Sequence, residues 1–182
     1  MQKSLFKKYL RITSFIIAMC FVFLILVMIA LMSRQWRDDK RELLGKNASA
    51  IATLASNNTT YDAGNDVYVV NELVMRPFIQ AFAKNSDADI FITNVSGECL
   101  LGEYQKSGKE TLGTLPEEVV AIALPGQYAA QGTLSGLYDR PYYVVGVPVH
   151  VTDEDGVLRT IGIVFSATSA ESLTAYWMET LH

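Results

Sequence analysis

The chain has few of the residues on which metal sites and disulfide frameworks depend. It contains two histidines and two cysteines in 182 residues, too few for a histidine-rich metal site or a disulfide-stapled fold. The usual motifs for a serine nucleophile, a zinc protease, a phosphate-binding loop and a paired-cysteine redox centre are also missing. We therefore expect no catalytic residues, no metal site and no cofactor in this chain.

Basic residues are not in excess either. The chain has 15 Lys and Arg against 19 Asp and Glu, a net charge of −4, which argues against a nucleic-acid partner. Cys20 lies in an apolar run and Cys99 lies far from it, so we expect no disulfide. Cys99 is interpreted as a buried small apolar residue rather than a redox sensor.

What the sequence does have is one long uncharged run, residues 12–32. About 20 apolar residues span the hydrocarbon core of a bilayer, so this run predicts a transmembrane helix. A cleaved signal peptide is the alternative, but its apolar core is shorter, roughly 7–15 residues, and ends in a small-residue cleavage pattern. Leu31-Met32-Ser33-Arg34 lacks that pattern, so we expect the helix to be retained.

Flanking charges do not decide the orientation of this helix. Four Lys or Arg lie on each side of it: Lys3, Lys7, Lys8 and Arg11, then Arg34, Arg37, Lys40 and Arg41. A large domain translocates regardless of such charges, and the leader is short. We therefore expect residues 1–11 to be a cytoplasmic tail and the remainder to be extracytoplasmic, with Tyr9 and Trp36 as interfacial anchors.

The first part of the remainder is predicted to be helical. Apolar residues near the 3.6-residue period predict a stalk helix over residues 33–57, although Gly45 weakens the pattern. Residues 57–66 are polar and turn-rich. Helical spacing resumes over residues 67–84, where Pro77 can kink the helix.

The second part is predicted to be mainly β-structure. Leu115-Pro116-Glu117-Glu118 is expected to open a short helix that runs to about Leu124, and a last helix is expected from Ser169 or Ser172 to His182. The predicted strands cover residues 89–94, 99–102, 127–137, 141–151 and 158–168. Short connections make the last three strands antiparallel, so the fold class is α+β.

Two glycine patterns carry further expectations. Asp153, Glu154 and Asp155 precede Gly156, and we interpret them as a solvated hairpin tip rather than a cation site. Gly132, Gly146 and Gly162 fall once on each late strand; we attribute them to close helix packing, with a pocket as the alternative.

The order of elements, with three local patterns, resembles a known family. The patterns are a strand–turn–strand over residues 88–100, the strand at 143–149 and the strand at 156–164. Behind a transmembrane helix, they resemble the extracytoplasmic PAS-like sensor domains called Cache or PDC domains. The resemblance implies such a domain over residues 33–180, with an antiparallel sheet flanked by helices.

The resemblance also implies a function. Such domains sense signals for bacterial membrane receptors, so the chain is expected to be the N-terminal part of a two-component sensor histidine kinase. A second membrane helix and a kinase domain would then follow in a longer gene product, because the kinase phospho-acceptor motif is missing here. The alternative is a stand-alone membrane-anchored protein that binds a solute or a partner without signalling output.

The family's usual ligand position implies a site and its partners. Ligands of such domains lie against the sheet near the central strand, which here implies Arg140, Tyr142, Tyr143 and His150. An Arg fork suits a carboxylate, so a small anionic ligand is expected. The alternative is that the tyrosines pack the core and Arg140 caps a loop.

The chain is also expected to form a homodimer through its stalk helix. We expect its seam to consist of Leu44, Ile51 and Leu54 on the stalk helix, and we expect the last helix to run beside the stalk.

Overall fold

The computed structural model describes residues 2–170, with the side chains of 8–32 and 34–170. It divides into two compact units, Met1–Asp39 and Lys40–His182. One helix, α1 (Gln2–Asn57), contributes residues to both units. The predicted last helix lies outside the described residues, and so does its predicted packing beside the stalk.

The first unit contains the apolar part of α1. Every side chain from Lys8 to Met32 is exposed, and the most apolar stretch has a mean hydropathy of 3.2. Its length and composition suit a membrane anchor or a signal sequence. The helix predicted at residues 12–32 is thus present.

The second unit begins with the C-terminal part of α1. Leu44, Ala48, Ile51 and Ala55 recur at helical spacing and are at most 1% exposed. A side chain at Gly45 would lie 3.2 Å from the Gln127 amide, so the glycine permits close approach and does not interrupt the helix. The helix predicted for residues 33–57 is thus present.

The segment after α1 is not the helix that the sequence predicted. Strands β1 (Thr59–Asp62) and β2 (Val67–Val70) form an antiparallel hairpin in which Tyr61 pairs with Tyr68. Helix α2 (Glu72–Ser86) begins only after Asn71, whose side chain accepts a hydrogen bond from the Val74 N–H. The prediction of helix from Val67 was wrong because four β-prone residues there pair locally with β1.

A five-stranded antiparallel sheet forms the centre of the second unit. Its strands are β3 (Asp89–Asn94), β4 (Cys99–Tyr104), β5 (Tyr128–Gly132), β6 (Tyr142–Thr152) and β7 (Leu158–Ser169), in the order β4-β3-β7-β6-β5. A short helix, α3 (Glu117–Ala123), connects β4 to β5. The predicted α+β class is confirmed, with a long apolar N-terminal helix and an antiparallel sheet packed against helices.

One predicted strand is too long. β5 ends at Gly132, whereas the prediction extended to Leu137. Leu134, Ser135 and Gly136 all have positive φ angles, a conformation that cannot continue a strand.

Both faces of the sheet are buried. One face packs against α1 and α2 through residues such as Ile51, Ile79 and Val164. The other packs against α3 and its flanking loops and is aromatic: Phe91 stacks on Phe165 with ring centroids 5.3 Å apart. Burying each such side chain contributes roughly 1.5–3 kcal/mol.

The late-strand glycines do not serve helix packing, contrary to our expectation. A Cβ at Gly146 would lie 2.6 Å from the Phe165 ring, and one at Gly162 would overlap the Thr93 carbonyl oxygen. Nothing lies within 4 Å of a Cβ at Gly132. Gly146 and Gly162 thus make room for neighbouring strands, and Gly132 faces open space.

The predicted dimer seam is also wrong for two of its residues. Leu44 and Ile51 are 1% and 0% exposed and pack within this chain's own core. Leu54 is partly buried against the same core. Any seam on α1 must therefore use residues that this core leaves at least partly exposed.

Candidate functional site

The two tyrosines predicted to bind a ligand lie on opposite faces of β6. Successive residues of a strand point to opposite sides. Tyr142 stacks on Tyr138, with ring centroids 4.0 Å apart, and Tyr143 lies under the Arg41 guanidinium, 5.5 Å from the ring centroid. Both are under 5% exposed, so they pack the core, as the alternative interpretation held.

His150 and Arg140 are distant from each other. His150 is near the far end of β6, eight residues from Tyr142, which is roughly 26 Å along a strand. Its Nδ1 lies 3.0 Å from the Thr160 hydroxyl. Arg140 is exposed just before β6. Arg140 and His150 therefore lie too far apart along β6 to hold one small ligand between them, and the anionic ligand remains a prediction.

A groove of ≈ 870 Å³ lies elsewhere, between the β1–β2 hairpin and one end of the main sheet. The ends of β3 and β4 and the β6–β7 turn complete its walls. Ile92 and Leu101, which are 2% and 7% exposed, form its buried apolar floor. Val67, Val69, Val95 and Leu100 add apolar surface that is 46–51% exposed. The groove is therefore an open apolar surface within a polar rim.

The rim of this groove is acidic. Its lining contains five carboxylates against one guanidinium, so the formal charge is −4: Asp66, Glu72, Asp153, Glu154, Asp155 and Arg159. These come from three separate segments of the chain. A rim of this kind creates a negative potential over the groove.

Asp153 organises the β6–β7 turn on this rim. Its Oδ2 accepts a hydrogen bond from Arg159 Nε at 2.7 Å. Its Oδ1 accepts from the backbone N–H groups of Val157 and Asp155. The Arg159 hydrogen bond, aided by these amides, holds the pKa of Asp153 below its usual value. Gly156 has φ +79°, so the predicted hairpin tip is confirmed.

Tyrosines form the opposite side of the groove. Tyr61 and Tyr68 lie with ring centroids 5.1 Å apart. The Tyr61 hydroxyl donates a 2.6 Å hydrogen bond to Asp66 Oδ1. That hydrogen bond raises the pKa of Tyr61, because ionised phenol would lose it beside a carboxylate.

Sequence reasoning missed this groove because its parts are distant in the chain. The β1–β2 hairpin was read as a polar break and a helix, so Tyr61 and Tyr68 were never placed together. The signal that identifies the hairpin is local: two β-prone tetrads, 59–62 and 67–70, flank the turn Ala63-Gly64-Asn65-Asp66.

A buried polar group lies on the α3 side of the sheet. Asp89 is 0% exposed, and its Oδ1 accepts hydrogen bonds from the N–H groups of Lys106 and Ser107 at 2.7 and 3.0 Å. Burial, with the nearby Asp89 charge, raises the pKa of Tyr138. The two backbone hydrogen bonds to Asp89 hold the chain that follows β4 against the sheet. Asp89 is not among the residues that line the groove.

Cys99 and the metal-ligating residue types give no further site. Cys99 is partly buried against the α3-side core, and burial raises the pKa of its thiol. Among the described residues, no three His, Cys, Asp or Glu side chains converge as metal ligands.

Comparison with known proteins adds no family. No family model matches the chain, and no curated protein matches it.

Proposed function

We propose that this chain is the extracytoplasmic signal-sensing module of a bacterial membrane receptor, and the N-terminal part of a two-component sensor histidine kinase. Its PAS-like resemblance motivates this function, and the continuity of α1 supports it. The helix that contains the apolar residues 12–32 also supplies Leu44, Ala48 and Ile51 to the core under the sheet.

This continuity offers a physical route for a signal. A change in the sheet alters the surface on which residues 44–55 pack. Closely packed elements shift between discrete arrangements rather than deforming gradually. A small slide or rotation of α1 would then reach its apolar part through helical hydrogen bonds alone.

The proposed receptor is a homodimer through a flank of α1 on which Leu43 is exposed and Asn47, Ala50 and Leu54 are half-buried. Leu43, Asn47, Ala50 and Leu54 follow a 4-3-4 spacing, which is the a/d pattern of a coiled coil. Leu43 is 42% exposed. A polar Asn in such a seam fixes register at some cost in stability.

Disulfide cross-linking of the full chain in native membranes tests the proposal. Single cysteines would replace Leu43, Asn47, Ala50 or Leu54 after Cys20→Ala and Cys99→Ala. Matched controls are Glu42→Cys, Ser49→Cys and Thr53→Cys, which lie on the same helix outside the seam. We expect dimers at the seam positions and few at the controls. Equal yields at all positions, or none, would contradict the dimeric receptor.

A further inference from the structure

We propose that the groove between the β1–β2 hairpin and the sheet binds an organic cation with an apolar body. The physiological meaning of this site rests on the proposed sensing function, but the binding itself does not. The inference depends on the shape of the groove, its charge and its aromatic side chains.

The size and floor of the groove suit a small organic molecule. Ligand pockets usually enclose about 300–1,000 Å³ and are mainly apolar, with a few polar groups that orient the ligand. The groove of ≈ 870 Å³ falls in this range, and Ile92, Leu101 and Ile161 contribute to its lining. An inorganic ion alone would leave this apolar surface in contact with water.

Three rim carboxylates are available to a cation. Glu72, Glu154 and Asp155 are exposed, and no side-chain hydrogen bond or ion pair occupies them within residues 8–170. They do not converge as a metal site does. Dispersed carboxylates favour a cation that is held mainly by its apolar body and oriented by the surrounding negative potential.

Among the described residues that line the groove, Arg159 is the only cation, and it does not favour an anion. Arg159 Nε is engaged by Asp153 at 2.7 Å, and Asp66 lies close enough to help raise the pKa of Arg159. Its charge is therefore already balanced by carboxylates. The groove should thus select against the anionic ligands that the sequence suggested for the β6 tyrosines.

The tyrosines add a preference for positive charge. The electron-rich faces of aromatic rings attract ammonium groups. Tyr61 and Tyr68 both line the groove, and the Tyr61–Asp66 hydrogen bond restrains the Tyr61 ring. Charge, aromatic rings and apolar floor together define the ligand class.

Three probes with one apolar body test this inference: phenethylamine, phenethyl alcohol and phenylacetate. Each would be titrated into the full chain in zwitterionic nanodiscs by calorimetry, with empty nanodiscs to subtract partitioning. We expect the amine to bind at least tenfold more tightly than the alcohol, and phenylacetate more weakly than both. Equal binding of amine and alcohol, tighter binding of phenylacetate, or no binding of the amine at 10 mM would overturn the proposal.

Variants locate the site. Glu72→Gln/Glu154→Gln/Asp155→Asn should weaken amine binding at least tenfold and leave the alcohol unchanged. Glu103→Gln/Glu110→Gln/Glu117→Gln, which removes the same charge outside the groove, should change neither. Leu100→Ser should weaken both probes. If the two triple variants weaken the amine equally, general charge explains the binding and the site is wrong.

The same samples separate this inference from the proposed function. Cross-linking at Leu43→Cys and Ala50→Cys would be repeated with saturating phenethylamine. Binding without a change in cross-linking supports the site and contradicts coupling to α1. Cross-linking at the seam positions without any binding of phenethylamine would support the dimeric receptor and contradict the proposal that the groove binds an organic cation.

Discussion

At the residue scale, single atoms determine which substitutions the domain tolerates. Asp153 accepts hydrogen bonds from Arg159 and from two backbone N–H groups, whereas its neighbour Glu154 is exposed. Gly162 touches the β3 backbone, whereas Gly132 faces open space. These contrasts provide matched pairs of variants, because each pair shares a chemistry and differs in surroundings.

Asp153→Asn should destabilise the full chain in a pH-dependent manner. The folded state lowers the pKa of Asp153, so its ionisation stabilises the fold above the ordinary value of about 4. That contribution is lost as the pH falls through the lowered pKa. The difference in urea midpoint between wild type and variant should be constant from about pH 7 to 5 and shrink below about pH 4.

Glu154→Gln is the control for this pH profile. It removes a neighbouring carboxylate and should follow the wild-type curve. A difference for Asp153→Asn that persists undiminished at about pH 2.5 would show that geometry, rather than charge, stabilises the turn.

Gly162→Ala should lower stability far more than Gly132→Ala. The added methyl group overlaps the Thr93 carbonyl oxygen, and overpacking of this kind typically costs about 1–3 kcal/mol. At Gly132 the same methyl meets nothing within 4 Å, and the lower unfolded-state entropy should give a gain of up to about 1 kcal/mol. Urea denaturation of both variants measures the difference, and equal effects would refute the strand contact.

At the element scale, the helical spacing of apolar residues in the C-terminal part of α1 matches the set of side chains that the fold buries. The apolar stripe at 44, 48, 51 and 55 predicts both the helix and its buried face. The period alone did not tell a core stripe from a dimer seam, because both require apolar residues at helical spacing. The two interpretations are distinguished only by the structure, in which the sheet of the same chain covers this stripe.

Ile51→Ala should destabilise the domain by about 2–5 kcal/mol. Ile51 is 0% exposed between α1 and the sheet, so truncation leaves a cavity that its neighbours fill only partly. Ser49→Ala, on the exposed side of the helix, should stay within about 0.5 kcal/mol of wild type. Unfolding midpoints of the full chain in detergent test this, and similar values for both variants would place the core elsewhere.

The strands that sequence reasoning located most accurately are those that form a distinct β-prone run between turn signals. β3, β6 and β7 were located to within two residues because each is a run of β-prone residues bounded by turns. The β1–β2 hairpin was missed because each strand has only four residues, too short to distinguish strand from helix. Because the hairpin forms one wall of the groove, the groove could not be predicted without it.

At the scale of the whole molecule, the apolar helix decides where the domain works. All described side chains of residues 8–32 are exposed, which in water would leave a long apolar surface unprotected. A membrane anchor and a cleaved signal sequence both account for this exposure. They differ in the mature protein.

We expect the full chain to remain in the membrane fraction after salt and alkaline washing, with its N-terminus intact by mass spectrometry. Deletion of residues 12–32 should release it. External protease on intact cells should remove the domain and spare a cytoplasmic marker protein. A free protein in the medium that starts near Ser33 would identify a signal sequence instead.

The strand order has a consequence for biosynthesis. β7 is the last strand among the described residues, yet it lies at the centre of the sheet between β3 and β6. The β3–β4 and β5–β6 pairs can form earlier, but they cannot join into one sheet before β7 has been made. Until then β3 and β6 each keep an unpaired edge. During that interval α1 has already left the ribosome. A chain that stalls before β7 therefore presents unpaired edges, and quality-control proteases should recognise it there.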